Sequence, residues 1–280
     1  AGIRVPLRAE YLRVIAAELN RIASHLVFIG TLLNDLGAAT AFVYAFRDRE
    51  KVLDLFDLIC GARMSTSYIR LGGVAFDATE EFIEKTQAFL DYVPEMLEEY
   101  DNLITGNEIF YARMKGVSPM TAEEAKALSL SGANLRATGV AYDIRRVEPY
   151  SVYDRLDFEV PVGTLGDDWD RYEVRLKEIG ESAKIIRQAL KEMPEGSCRK
   201  VVSPNLRPPK GSVYRRVENT RGELGFYIVS DGTAKPYRVH IRRPSFVNLQ
   251  ALDPLCRGTL VADSVVVYST LDPLMGEVDC

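Results

Sequence analysis

Histidine and thiol are scarce in this chain. Its 280 residues include two histidines, His25 and His240, and four cysteines, Cys60, Cys198, Cys256 and Cys280. No two cysteines form a CxxC pair, so a metal site built by this chain alone is poorly supplied. Thiols this far apart read as buried or incidental ones in a reducing compartment, with Cys60 a packing residue. His25 falls on an apolar helical stretch, where a satisfied core or interface histidine is the ordinary case. His240 falls in a strand-like run and is expected at the surface. Motifs of the GxSxG, HExxH, P-loop and GxGxxG kinds are absent. Among the carboxylates, Asp35 ends a long apolar helix just before Leu36-Gly37-Ala38, where it can cap a backbone group. Thr31 lies one turn earlier on the same face. Arg63 closes another helical segment, where a cation complements the helix end. Asp167, Asp168 and Arg171, and the turn at 230–233, read as ion pairs and corners that hold the fold.

The elements that position these residues follow from periodicity. Leu12, Ile15, Leu19, Ile22, Leu26, Ile29 and Leu33 keep three-and-four spacing within 7–40, which predicts one long helix ending or breaking at Leu36-Gly37. A second helix fits 48–64, and the glycine pair in 70–77 breaks the chain. A third helix fits 78–104, with Pro94 expected to kink or split it. Thr121 and Glu124 form a capping box for a helix over 121–130. Residues 169–193 are again amphipathic. A Pro-rich loop (198–212) leads into alternating residues with turns at 219–222 and 230–233, which predicts a small antiparallel sheet within 211–246. The last element, 249–268, is helical or extended, and the run LVADSVVVYSTL (260–271) looks strand-like.

The fold class is therefore α+β, mostly α. Three segments are expected: a helical core (1–197), a Pro-rich loop and sheet (198–248), and a C-terminal element packed back into the core (249–280). With 47% hydrophobic residues the chain can bury a sizeable core. A net charge of -5 and a pI near 5.3 disfavour a nucleic-acid partner. No run of 18 apolar residues suggests a membrane span. The start, AGIRVPLRAEYLRV, lacks Met and an apolar signal core, and reads like the middle of a longer protein.

Several long stretches, in order and spacing, resemble one family. They are ELNRIASHL (18–26), NDLGAATAFVYAFRDREK (34–51), GARMSTSYIRLGGV (61–74), SGANLRATGVAYDIRR (131–146), PYSVYDRLDFEVPVGTLGDDWDRYEVR (149–175), RGELGFYIVSDGTAKPYRVHIRRPSF (221–246) and GEVD (276–279). Over nearly its whole length the chain is similar to the 49-kDa, quinone-site subunit of respiratory complex I, a relative of the large subunit of nickel–iron hydrogenases. The resemblance implies a hydrogenase-large-subunit-like helical core. It also implies an N-terminal region, ahead of residue 7, whose sheet carries a quinone-binding His and Tyr. In hydrogenases the last stretch reads Asp-Pro-Cys-x-x-Cys. Here it reads Asp272-Pro273-Leu274-Met275-Gly276-Glu277, so neither cysteine position can supply a thiolate. The family's terminal Arg is Cys280 here.

What the resemblance implies about function is specific. The chain would be the quinone-site subunit of an ion-translocating NADH (or other donor) quinone oxidoreductase, inactive in isolation. Asp35 would be the catalytic carboxylate paired with the family His, because quinone reduction takes up two protons. Val27, Thr31, Phe42, Asp272 and Leu274 would line the quinone site with Asp35. Arg63 and Ser65 would lie near a 4Fe-4S cluster held by a partner subunit. Many relatives carry a titrating His where this chain has Ser65. No metal or cofactor is expected on this chain itself; quinone is the substrate and NAD acts upstream in the complex. Expected partners are the iron–sulfur subunit, other peripheral-arm subunits and a membrane-arm subunit at the quinone channel, with the chain peripheral on the cytoplasmic face of the cell membrane. Two alternatives are the large subunit of a membrane-bound hydrogenase-type complex and a non-catalytic scaffold fragment.

Overall fold

The computed structural model describes residues 2–279. Its helices are α1 (Leu7–Asp35), α2 (Ala39–Cys60), α3 (Glu80–Tyr100), α4 (Glu108–Met114), α5 (Ala122–Ala127), α6 (Ala133–Arg136), α7 (Ile144–Val147), α8 (Asp168–Glu192), α9 (Pro244–Asn248), α10 (Leu252–Cys256), α11 (Val261–Leu271) and α12 (Met275–Val278). Two short strands, β1 (Ile69–Arg70) and β2 (Gly73–Val74), form a hairpin. Strands β3 (Gly211–Asn219), β4 (Gly222–Ser230) and β5 (Arg238–Arg242) form an antiparallel sheet in that order. The architecture is α+β, mostly α.

Helix α1 is the axis. It packs on α2 and on α8, and α11 lies against it. Leu12, Ile15, Leu19, Ile22, Leu26 and Ile29 are fully buried, each stabilising the fold by about 1.5–3 kcal/mol through loss of apolar contact with water. Between α1 and α8 the interface is charged. Glu18 accepts hydrogen bonds from Arg21 Nε (3.1 Å), Arg145 Nη1 (3.0 Å), Tyr153 OH (2.6 Å) and Ser182 Oγ (2.7 Å). Glu178 accepts from Arg136 Nε (2.8 Å) and pairs with His25 Nε2 at 2.8 Å. Arg136 also reaches Glu218 of β3 at 2.8 Å. Every charge is met by an opposite one, which the burial of these groups requires.

Helix α3 runs through Pro94 without splitting, then passes into a π turn over Asp101–Thr105. Proline has no N–H, so the Leu90 carbonyl lacks its helical donor. Arg187 Nη2 of α8 donates to it at 3.0 Å. The capping box is present: the Thr121 side chain accepts from Glu124 N, and Thr121 N donates to the Glu124 carboxylate.

Two expectations are corrected. Helix α2 begins at Ala39, not residue 48. Its first turns hold Phe42, Val43 and Tyr44, weak helix formers, and it is Ala41 and Ala45 beside them that are buried in the core. The strand-like run at 260–271 is helix α11. Its buried residues Val266, Val267, Thr270 and Leu271 recur at helical spacing, and that packing overrides the β-propensity of its valines. Helix α11 buries one face, ending in Thr270, Leu271 and then Asp272, which turns the chain with φ 53°, ψ 52°, while Val261 and Val265 on its other face are exposed. Leu274 and Met275 beyond it are about half exposed, at 51% and 48%. Cys280 lies outside the described residues. No described helix is long and apolar enough to cross a membrane.

Candidate functional site

Val27, Thr31 and Asp35 fall at i, i+4 and i+8 on α1, one stripe along its outer face. Val27 is half-buried, and Thr31 and Asp35 are exposed. The Thr31 hydroxyl donates back to the Val27 carbonyl at 2.9 Å, so its methyl and oxygen are fixed on the face. Asp35 accepts a hydrogen bond from Ser269 Oγ in the last turn of α11. It is a side-chain link to another helix, not the backbone cap its position allowed. Phe42, at the start of α2, is half-buried with its ring 4.3 Å from that of Phe46.

Asp272 lies at the same end of α11 and is only 8% exposed. Arg221, in the two-residue turn between β3 and β4, clamps it. Arg221 Nη2 donates to Asp272 Oδ1 at 3.1 Å and Nε donates to its carbonyl at 3.0 Å. The same guanidinium donates to Ser24 Oγ at 3.0 Å, one turn before Val27 on α1. Arg221 therefore ties the C-terminal carboxylate to the α1 stripe. The turn is held rigidly. Asn248 Nδ2 donates to the Arg221 carbonyl at 2.9 Å, and Glu223 N donates to Ser131 Oγ at 3.0 Å. Gly132 has φ 67° and ψ -149°, and a Cβ there would sit 2.5 Å from Gly222 Cα. Only glycine lets these two segments approach.

The structure thus gathers Val27, Thr31, Asp35 and Asp272 around one end of α1 and α11. Leu274 follows on the surface, its N–H 3.3 Å from Ser245 Oγ. Arg63 and Ser65 lie elsewhere, in the exposed loop after α2. Arg63 reaches back along α2 to pair with Glu50 and Asp54, as a helix-end cation does. Ser65 adopts φ 54°. Beside this loop is a cavity of about 620 Å³, lined by residues including Glu10, Arg13, Arg21, Thr66, Tyr150 and Glu218. Along α1, Ala17 on its wall is about 27 Å from Asp35 at 1.5 Å per residue. The cavity also reaches Arg21 and Thr220, next to the Arg221 clamp, while Thr31 and Asp35 do not line it.

Sequence reasoning missed Arg221 and Ser269. Arg221 stands in a turn signal, Asn-Thr-Arg-Gly, which marks a hairpin but not a side-chain target. Among the described residues, no three His, Cys, Asp or Glu side chains gather as a metal site would require. Chemically, these groups combine apolar surface with hydroxyls and a carboxylate. Val27 and Leu274 offer apolar surface, Thr31 and Ser269 hydroxyls, and Asp35 a proton-accepting carboxylate.

Comparison with known proteins gives the chain a family. A family model described as the 49 Kd subunit of respiratory-chain NADH dehydrogenase matches residues 35–202 and 198–280. The chain is 53% identical over 277 residues to an NADH-quinone oxidoreductase subunit from Desulforamulus reducens, covering 99% of this chain and 76% of that protein. It is 50% identical over 279 residues to the protein of the same name from Clostridium beijerinckii, covering 100% of this chain and 75% of that one. It is 52% identical over 279 residues to the one from Bacillus anthracis, covering 99% and 76%.

Proposed function

The chain belongs to the 49-kDa-subunit family of respiratory-chain NADH dehydrogenase, and from this we propose that its Asp35–Asp272 face is where quinone is reduced. As a member of that family it is a subunit of an oxidoreductase complex. The observation that carries the proposal is the convergence of the Val27–Thr31–Asp35 stripe with Asp272 through Ser269 and Arg221. These groups lie on an outer face, so neighbouring subunits would complete the enclosure.

Reducing a quinone to the hydroquinone adds two electrons and two protons, one to each carbonyl oxygen. The electrons would be supplied by a 4Fe-4S cluster held by a partner iron–sulfur subunit, with NAD chemistry upstream in the complex. This chain's residues bind and orient the ring and move protons. Val27 and Leu274 pack against it, and the Thr31 hydroxyl borders it. Asp35, fixed by Ser269, takes and passes a proton beside one carbonyl. Asp272, held by Arg221, sets the field around the site. The Arg63–Ser65 loop would face the partner's cluster. The chain would sit peripherally on the cytoplasmic side of the membrane, against other peripheral-arm subunits and a membrane-arm subunit, in an ion-translocating assembly.

A photoreactive quinone analogue added to the assembled complex tests this. Label on peptides spanning 27–42 or 269–275, lost on adding excess quinone, is expected. Label confined to other subunits and other parts of this chain would refute the placement.

A further inference from the structure

Asp272 has a second cationic neighbour, and it comes from deep inside the protein. Arg175 of α8 is 1% exposed. Its guanidinium is fixed on three sides. Nη1 donates to the Arg171 carbonyl at 2.7 Å, Nη2 donates to Asn134 Oδ1 at 3.1 Å, and the group lies 4.2 Å from the centre of the Phe28 ring. Asn134 Nδ2 in turn donates to the Leu271 carbonyl at 3.0 Å, directly before Asp272. The remaining nitrogen, Nε, faces Asp272 Oδ2 at 3.9 Å. Both atoms are buried, and neither has a hydrogen-bond partner among the described residues. Asp272 is also a non-glycine residue in the left-handed region. Such a conformation persists only where its surroundings over-determine it.

We propose that Arg175 is a positioning residue for quinone reduction, acting through Asp272. Arg221 fixes one carboxylate oxygen and the Asp272 carbonyl. Arg175 fixes the residue before it through Asn134 and sets the charge opposite the other oxygen. A Lys at this position keeps a positive charge but lacks the planar fork that spans Asn134, Arg171 and Asp272. The inference rests on the placement of Asp272 in the quinone site.

A double-mutant cycle on the assembled complex tests it. Arg175→Met, Arg175→Lys, Asp272→Asn and the combinations of Asp272→Asn with each are compared for kcat and KM with a short-chain quinone. NADH oxidation by ferricyanide reports assembly of the upstream half. Arg175→Met is expected to lower kcat/KM by roughly 10²-fold, the cost of a small misplacement at a reacting centre. Arg175→Lys should recover part of that loss. In the Asp272→Asn background neither substitution should lower kcat/KM further. If Arg175→Met prevents assembly, Asn134→Ala replaces it in the cycle, with a smaller loss that also vanishes when Asp272 is Asn. A loss that persists in full in the Asp272→Asn background overturns the role of Arg175 alone. Wild-type kcat/KM in Asp272→Asn itself overturns both this inference and the placement of Asp272 at the quinone.

Discussion

Glu18→Gln should destabilise the chain by about 3–5 kcal/mol at pH 7. Glu18 is fully buried between α1 and α8. Burial alone would push its pKa up. Arg145 and then Arg21, helped by the Tyr153 and Ser182 hydroxyls, pull it down from 4.5 to about 2. That difference corresponds to about 3 kcal/mol of folding stability. Breaking a buried ion pair at one partner independently suggests about 3–5 kcal/mol, because the cations left behind stay buried. The sign over pH follows. A depressed carboxylate pKa contributes fully above pH 4.5, and the contribution is lost as pH falls through about 2. Gln contributes nothing of this kind. Urea unfolding of both proteins at about pH 7, 5 and 3 should therefore show a gap that is wide at the two higher values and narrower at the lowest. A gap below about 1 kcal/mol at neutral pH, or one that widens on acidification, would refute the reasoning.

Asp168 should act in the opposite direction. Burial raises its pKa from 3.8 to about 6 against the pull of Arg171 and Thr270, so up to about 3 kcal/mol of stability is lost as pH rises through about 6. Asp168→Asn should flatten the unfolding profile between about pH 4 and 7, and an unchanged slope would count against this. Arg187→Ala should cost about 0.5–1.5 kcal/mol through the Leu90 carbonyl but nearly nothing beside Pro94→Ala, which restores the helical donor; urea unfolding of the four proteins reads this out. Gly132→Ala places a Cβ against Gly222 and Arg221 and should cost at least about 1–3 kcal/mol from backbone strain, seen as a lowered Tm; an unchanged Tm would show that the turn can give way.

How far the fold and site are legible in the sequence can be traced to particular residues. The unbroken spacing from Leu12 to Leu33 locates α1 because a long helix buried on most sides repeats its apolar positions many times. The turns at 219–222 and 230–233 locate the sheet through local backbone chemistry. α11 reads as a strand because Val261, Val265, Val266 and Val267 favour strands in isolation. Only contact with α1 and α8 decides otherwise, and no local window contains that. Acidic residues suggest a later start for α2, whereas the packing of Ala41 and Ala45 sets it earlier. Asp35 and Asp272 stand out because the family resemblance attaches a role to each. Arg221 and Arg175 fall inside equally long motifs but carry no such role there, because they act on a carboxylate 51 and 97 residues away in sequence. Such pairings exist only once the chain is folded.

Asp35→Asn in the assembled complex bears most directly on the quinone site. Asn keeps the size and can still accept from Ser269, but it can neither carry the charge nor pass a proton. Quinone-reductase turnover should fall roughly 10²- to 10⁴-fold, while NADH oxidation by ferricyanide in the same preparation stays at the wild-type rate. Wild-type quinone turnover in a fully assembled Asp35→Asn complex would contradict the assignment of this face to quinone reduction.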